Sequence, residues 1–149
     1  MTFLEKITFL TGKFLQLSQY VLKNAYRAVS LIDAKEKYDQ KEEKSLVLAA
    51  SEVKAISLIT DMENKGSAEL ISFFNDKGLD EKDKASLKTL LLKRDYLVSY
   101  FYIDNANSLA KEDPGIYESK IAELNDYCSM ATKLNKSLSK VCDDIYETM

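Results

Sequence analysis

Apolar residues recur along the start of the chain at steps of four and three: Phe3, Ile7, Leu10, Phe14, Leu17, Val21, Ala28 and Leu31, with Asn24 in the one polar place of the series. Such spacing puts every member on one side of an α-helix. It predicts a first helix from near Phe3 to about Asp33, locally weakened at Gly12. The charged run 33–44 reads as a connection or as polar helix ends. A second helix is expected from about Lys41 to Glu63, with Leu46, Ala49, Val53, Ile56 and Ile59 as its buried stripe. Asn64-Lys65-Gly66 predicts its stop, with Gly66 as the C-terminal cap. Ser67 then opens a short helix carrying Leu70, Ile71, Phe73 and Phe74, which Asn75-Asp76-Lys77-Gly78 ends.

Asp80 opens a fourth helix, with acidic residues in its first turn where the helix dipole favours them. Leu87, Leu90, Leu91, Leu97, Val98 and Phe101 supply its apolar face. Asp113-Pro114 marks the last start, Asp as N-cap and Pro at the first helical position. The last helix keeps the four-three spacing through Tyr117, Ile121, Leu124, Cys128, Ala131, Leu138, Cys142 and Ile145, again with one Asn, Asn135, in the gap. No alternation of strand type competes. The pattern predicts a single all-α domain over residues 1–149, a bundle of about five helices. Its first and last helices are long and expected to lie antiparallel, with shorter ones between them and helices one, four and five forming the core.

Composition agrees with an ordinary globular helical protein: 46% hydrophobic, 30% charged, one Pro and four Gly in 149 residues. A net charge of −3 and the lack of a Lys/Arg block argue against wholesale nucleic-acid binding, though not against a local basic patch. Cys128 and Cys142 fall in one predicted helix, about 21 Å apart along its axis, beyond disulfide reach. Free thiols at apolar positions suit a reducing cytoplasm. Glu5, Lys6, Thr8 and Lys13 interrupt the apolar N-terminus, so neither a signal peptide nor a membrane span is expected.

One residue departs from the general chemistry. The chain has nineteen Lys and only two Arg, Arg27 and Arg94. Arg94 shares the helical phase of Leu87, Leu90, Leu91, Val98 and Phe101. A fixed guanidinium at such a place needs a partner. One reading is structural: a pair with Asp95 or Asp104, the stem lying along the core or a subunit interface. The other is a contact to phosphate, which the planar guanidinium fork suits, with Tyr96, Tyr100 and Tyr102 available to stack on bases.

The stretch Lys93-Arg94-Asp95-Tyr96-Leu97-Val98-Ser99-Tyr100-Phe101-Tyr102-Ile103-Asp104 resembles the HEPN superfamily, and within it a bacterial subgroup written roughly Lys-Arg-Asn-aromatic-Leu-Ala-His-His-Phe-Phe-Arg-Glu-His. Lys93, Arg94, Leu97, Phe101 and Asp104 match by identity or type, and Val98 and Tyr102 are conservative. The segments 108–112 and 120–124 also resemble that subgroup's loop and final helix, so the likeness covers about 87–138. It implies a helical homodimer, in which Arg stabilises a charged phosphate of RNA while a His moves the proton. This chain has Asp95 where Asn is usual, Ser99 where the His would stand, Asn105 at a second His-like place, and no His anywhere. A Ser cannot titrate near neutrality.

Other chemistries fit poorly. Imidazole or thiolate metal sites lack their ligands, and a carboxylate site built on Glu42 and Glu43 or on Asp143 and Asp144 competes with a plain solvated face. No Gly-rich phosphate loop is present. The expectation is a cytoplasmic, non-catalytic HEPN-like homodimer, a binding or regulatory module for a protein or RNA partner, without cofactor or metal. The resemblance suggests a bacterial or phage defence or toxin–antitoxin setting. Its candidate degenerate site or interface is Arg94, Asp95, Ser99, Tyr100 and Asp104. Two alternatives stand beside it: a weak or altered endoribonuclease using Arg94, and an acidic protein-binding inhibitor or immunity factor.

Overall fold

The first helix begins with a reciprocal cap. The Glu5 amide donates to Thr2 Oγ1 at 3.1 Å, and the Thr2 amide donates to Glu5 Oε2 at 3.2 Å. Two of the orphan donors of a helix start are thereby satisfied. A computed structural model describes residues 1–37, 43–65, 68–75, 79–99, 101, 105, 110–111 and 113–148. Its helices are α1 (Phe3–Lys37), α2 (Lys44–Lys65), α3 (Ala68–Asn75), α4 (Glu81–Ser99) and α5 (Pro114–Thr148). Phe101, Asn105 and Ala110 are helical as well. The fold is an all-α bundle with long first and last helices, and no strand occurs among the described residues. Among those residues no helix is long and apolar enough to cross a membrane.

The expected punctuation is largely in place. Asp80 Oδ1 accepts the Asp83 amide at 2.8 Å and caps α4. Asp113 Oδ1 accepts the Gly115 amide at 2.9 Å and caps α5, with Pro114 as its first residue. α1 runs past Asp33 to Lys37, so the charged run begins inside the helix. α2 starts at Lys44 rather than Lys41. Gly66, Ser67, Asp76, Lys77 and Gly78, read as helix punctuation, lie outside the described residues.

The long helices correct the expected arrangement: α1 and α5 run parallel. Phe3 stacks on Tyr117, with ring centroids 5.5 Å apart. Phe14 meets Tyr127 at 5.7 Å, Asn24 Nδ2 donates to Asn135 Oδ1 at 2.5 Å, and Lys35 Nζ donates to Thr148 Oγ1 at 2.8 Å. Numbers rise together along both helices. Each spans about 50 Å at the usual rise per residue. The intervening helices carry the chain back. α2 descends α1, its Lys54 bonded to Asp33 at 2.6 Å. α4 descends α5, with Asp80 and Asp83 near Lys133 and Ser137, and Lys120 6.0 Å from the Phe101 ring.

α1 touches every other helix, which explains why its buried face is broader than one seam. Ile7, Leu10, Phe14, Val21, Ala28 and Leu31 are buried as the spacing predicts, but so are Leu22, Ala25, Tyr26 and Val29. Buried Thr11 and Ser18 satisfy their hydroxyls on the Ile7 and Phe14 carbonyls of the preceding turn. Leu70 and Phe74 of α3, Leu87, Leu90, Leu91 and Leu97 of α4, Phe101, and Tyr117 to Cys142 of α5 complete the core. Cys128 and Cys142 are free and buried, their thiols toward the Leu10 and Asn24 carbonyls of α1.

α2 reverses the expected orientation. Leu46, Val53 and Ile56, read as buried, are 65, 68 and 65% exposed, and Ala49 is exposed too. Val47 and Ser51 are buried instead, with Leu48, Ala55, Leu58 and Ile59 half-buried beside them. The helix carries apolar residues on two faces, so periodicity alone could not select the inner one. The Lys54–Asp33 pair and the Lys44 ammonium, 4.2 Å from the Tyr146 ring, hold the observed side inward. Val98 of α4 is also exposed, at 64%, rather than part of the core.

Candidate functional site

Arg94 sits one turn beyond Leu90 and Leu91, which anchor α4 in the core, so its stem leaves the packed side of the helix. Its side chain is 29% exposed. Nη1 lies 3.8 Å from Asp95 Oδ1, and the Asp95 carboxylate is 63% exposed. That separation exceeds hydrogen-bond length, and a pair so open to water is weak. The guanidinium is thus neither sealed in the core nor locked to a carboxylate among the described residues.

A residue that the sequence reading did not select lies within its field. Tyr26 of α1 is buried, and its hydroxyl has no hydrogen-bond partner among the described residues. Burial pushes the phenol up to about 12, while the positive charge of Arg94 pulls the other way. Burial wins because the neutral phenol costs far less to desolvate than the phenolate. Its position on α1, outside the four-three seam, gave no hint of this.

Tyr96 does not stand out as a free stacking surface. It is half-buried and meets Phe101 edge-on, with centroids 6.3 Å apart and planes at 86°. Asn105 Nδ2 donates to the Phe101 carbonyl at 2.8 Å and more distantly to the Tyr96 hydroxyl at 3.4 Å. Further down, Tyr127 donates to Glu123 Oε1 at 2.5 Å, and Lys93 lies 5.3 Å from the Tyr127 ring. Burial and the Glu123 hydrogen bond raise the Tyr127 phenol well above its ordinary range. Of these contacts, that of Lys93 with the Tyr127 ring joins α4 to α5.

Of the expected site, then, Arg94 and Asp95 are neighbours in space as well as in sequence. Ser99 is the last residue of α4. Tyr100, Tyr102 and Asp104 lie outside the described residues. No protein-family model, curated protein or solved structure matches the chain.

Chemically, this region offers a positive charge with the exposed Asp95 carboxylate 3.8 Å away. The Tyr26 and Tyr127 phenols stay protonated at neutrality. The two thiols, raised by burial, face α1. Among the described residues no three His, Cys, Asp or Glu side chains gather as a metal site, and Glu43, Asp143 and Asp144 are exposed. Glu42 lies outside the described residues.

Proposed function

We propose that this protein is a non-catalytic helical binding module that acts as a homodimer, with Arg94 as an anion contact for its partner. The observation that carries the reading is the state of Arg94: a partly exposed guanidinium whose carboxylate neighbour among the described residues, Asp95, is 3.8 Å away and itself exposed. A fork of that kind donates to phosphate or carboxylate oxygens. The chain has no His. General acid–base cleavage of RNA therefore lacks its proton carrier. The HEPN-like motif favours the same reading, a nuclease-like frame with Ser99 where the reactive His would stand. A single cytoplasmic domain and a defence-related or regulatory role belong to this proposal.

The purified protein should leave single-stranded RNA intact near neutral pH in the presence of chelator, and should elute as a dimer in size-exclusion chromatography with light scattering. Binding to labelled single-stranded RNA or to a captured partner protein should weaken in Arg94→Ala. Robust RNA cleavage that disappears in Arg94→Ala would reject the non-catalytic reading in favour of an altered endoribonuclease.

A further inference from the structure

We infer that the groove between α1 and α2 at Lys23 and Arg27 binds a small amphipathic anion, a carboxylate on an aliphatic chain of medium length. The site is separate from Arg94, and its test does not depend on the reading given there. The groove measures about 420 Å³, within the range of about 300–1,000 Å³ usual for small-molecule sites. Leu31 of α1 and Leu48, Ala55, Ile56 and Ile59 of α2 give it aliphatic walls. Lys23 and Arg27 stand among them. Apolar walls with a few polar groups are the usual make-up of a ligand site, the walls holding the ligand and the polar groups orienting it.

The two cations identify the charge of the occupant. Lys23 and Arg27 are one turn apart on α1, and both are exposed. Among the described residues neither is ion-paired with a carboxylate. Like charges at that spacing repel, and an anion seated between them removes the repulsion. Glu52 is the one acid among the described lining residues, so two cations and one acid leave the lining a single net positive charge. That balance suits a monoanion, and Glu52 opposes a second negative charge. The planar fork of Arg27 donates two parallel bonds to a carboxylate. Two other grooves differ. On the far side of α2, Lys54 is already paired with Asp33 at 2.6 Å. Between α4 and α5, Asp80, Asp83 and Asp126 outnumber Lys82 and Lys133.

The walls identify the rest of the ligand. Leu31 lies about two turns beyond Lys23, roughly 12 Å at the usual helical rise. A chain of medium length with its carboxylate at the two cations therefore reaches Leu31. Such a tail covers part of Ile56, which is 65% exposed, and the half-buried Leu48, Ala55 and Ile59. Removing that apolar surface from water drives the association. Ser51, which also lines the groove, makes no demand on the tail, because its hydroxyl already donates to the Leu48 carbonyl at 2.7 Å.

The probe is decanoate below its micelle concentration, titrated into the full chain by calorimetry, with helicity followed by circular dichroism. One molecule should bind per chain, and the affinity should fall as salt rises. Decanol, the same tail without the charge, and decylammonium, with the opposite charge, should bind roughly tenfold or more weakly. Arg27→Gln, and independently Lys23→Gln, should keep the helical spectrum and lose affinity by roughly tenfold or more. Lys88→Gln, an equal loss of charge on α4, should bind as the wild type does. Ala55→Phe should fill the groove and block the tail; if it loses the helical spectrum, the two exposed α1 changes carry the test alone. Absence of binding by the wild type, or decanol bound as tightly as decanoate, would overturn the site. Wild-type affinity in both α1 variants or in a folded Ala55→Phe, or an equal loss in Lys88→Gln, would overturn it as well. Association with anionic phospholipid vesicles without binding of free decanoate would also defeat it, since the surface would then be a membrane contact.

Discussion

Asn24 and Asn135, 111 positions apart in sequence, share a hydrogen bond of 2.5 Å between α1 and α5. Each is the one polar residue in an otherwise apolar four-three series. The two interruptions meet, which fixes the axial register of two parallel helices that simple apolar packing would leave free to slide. The Asn24 carbonyl also faces the Cys142 thiol at 3.7 Å, so the same turn is tied to α5 twice. Asn24→Leu or Asn135→Leu alone should cost about 1–3 kcal/mol, since each strands a half-buried amide. The double variant should recover most of that loss, with a coupling of about 0.5–3 kcal/mol in a denaturant-melt cycle. Simple additivity would show that the hydrogen bond contributes little in solution.

Alkaline pH should destabilise the fold through Tyr26. Its phenol ionises near 10 in the unfolded chain but only at about 12 when folded. Between those values the unfolded chain holds fewer protons, so stability falls as pH rises through this window and is unaffected below it. Tyr26→Phe should remove that part of the alkaline loss. It should also raise stability at neutral pH by about 1 kcal/mol, because a buried hydroxyl without a partner disappears. A clear loss of stability at neutral pH in Tyr26→Phe would mean that the hydroxyl makes a bond after all.

The thiols give a kinetic prediction. Cys128 and Cys142 are 5 and 0% exposed, and burial raises both pKa values. Thiolate is the reactive form, so both should react slowly with a disulfide reagent in the native state and quickly in denaturant. Reaction of either at the rate of a free thiol in native buffer would place that end of α5 in frequent local opening.

Much of the bundle was legible because spacing is a physical signal. The seams of α1 and α5 and the Asp80 and Asp113-Pro114 starts follow from where side chains and orphan amides must go. Direction was not legible. A four-three series reads the same for parallel and antiparallel partners, and only distant pairs taken together, from Phe3 with Tyr117 at one end to Lys35 with Thr148 at the other, distinguish them, pairings with no local trace. The inner face of α2 was illegible for a related reason: its two apolar faces compete, and Asp33, far away in sequence, decides. At the candidate site, Arg94 was visible as a charge in an apolar phase. Tyr26 was not, because nothing in the sequence near it predicts that α4 brings a guanidinium within its field.

Arg94 itself supplies the last test, and the geometry lowers its expected weight in stability. The apolar phase of the residue suggested a desolvated pair, whose rupture costs about 3–5 kcal/mol. The observed pair is 3.8 Å long with side chains 29 and 63% exposed, and exposed pairs contribute about 0–1 kcal/mol. Arg94→Ala should therefore lower the unfolding free energy only modestly, by lost packing of the stem and by up to that amount for the pair. Lys88→Ala, fully on the solvent side of α4, should change it even less. Binding should separate the two more sharply, with Arg94→Ala losing affinity for an anionic partner and Lys88→Ala keeping it. Arg94→Lys retains the charge but not the fork, so it discriminates further: full retention of binding would mean that a point charge suffices, whereas a loss close to that of Arg94→Ala would show that the bidentate geometry of the guanidinium makes the contact. Equal binding by all three variants would remove Arg94 from the functional surface.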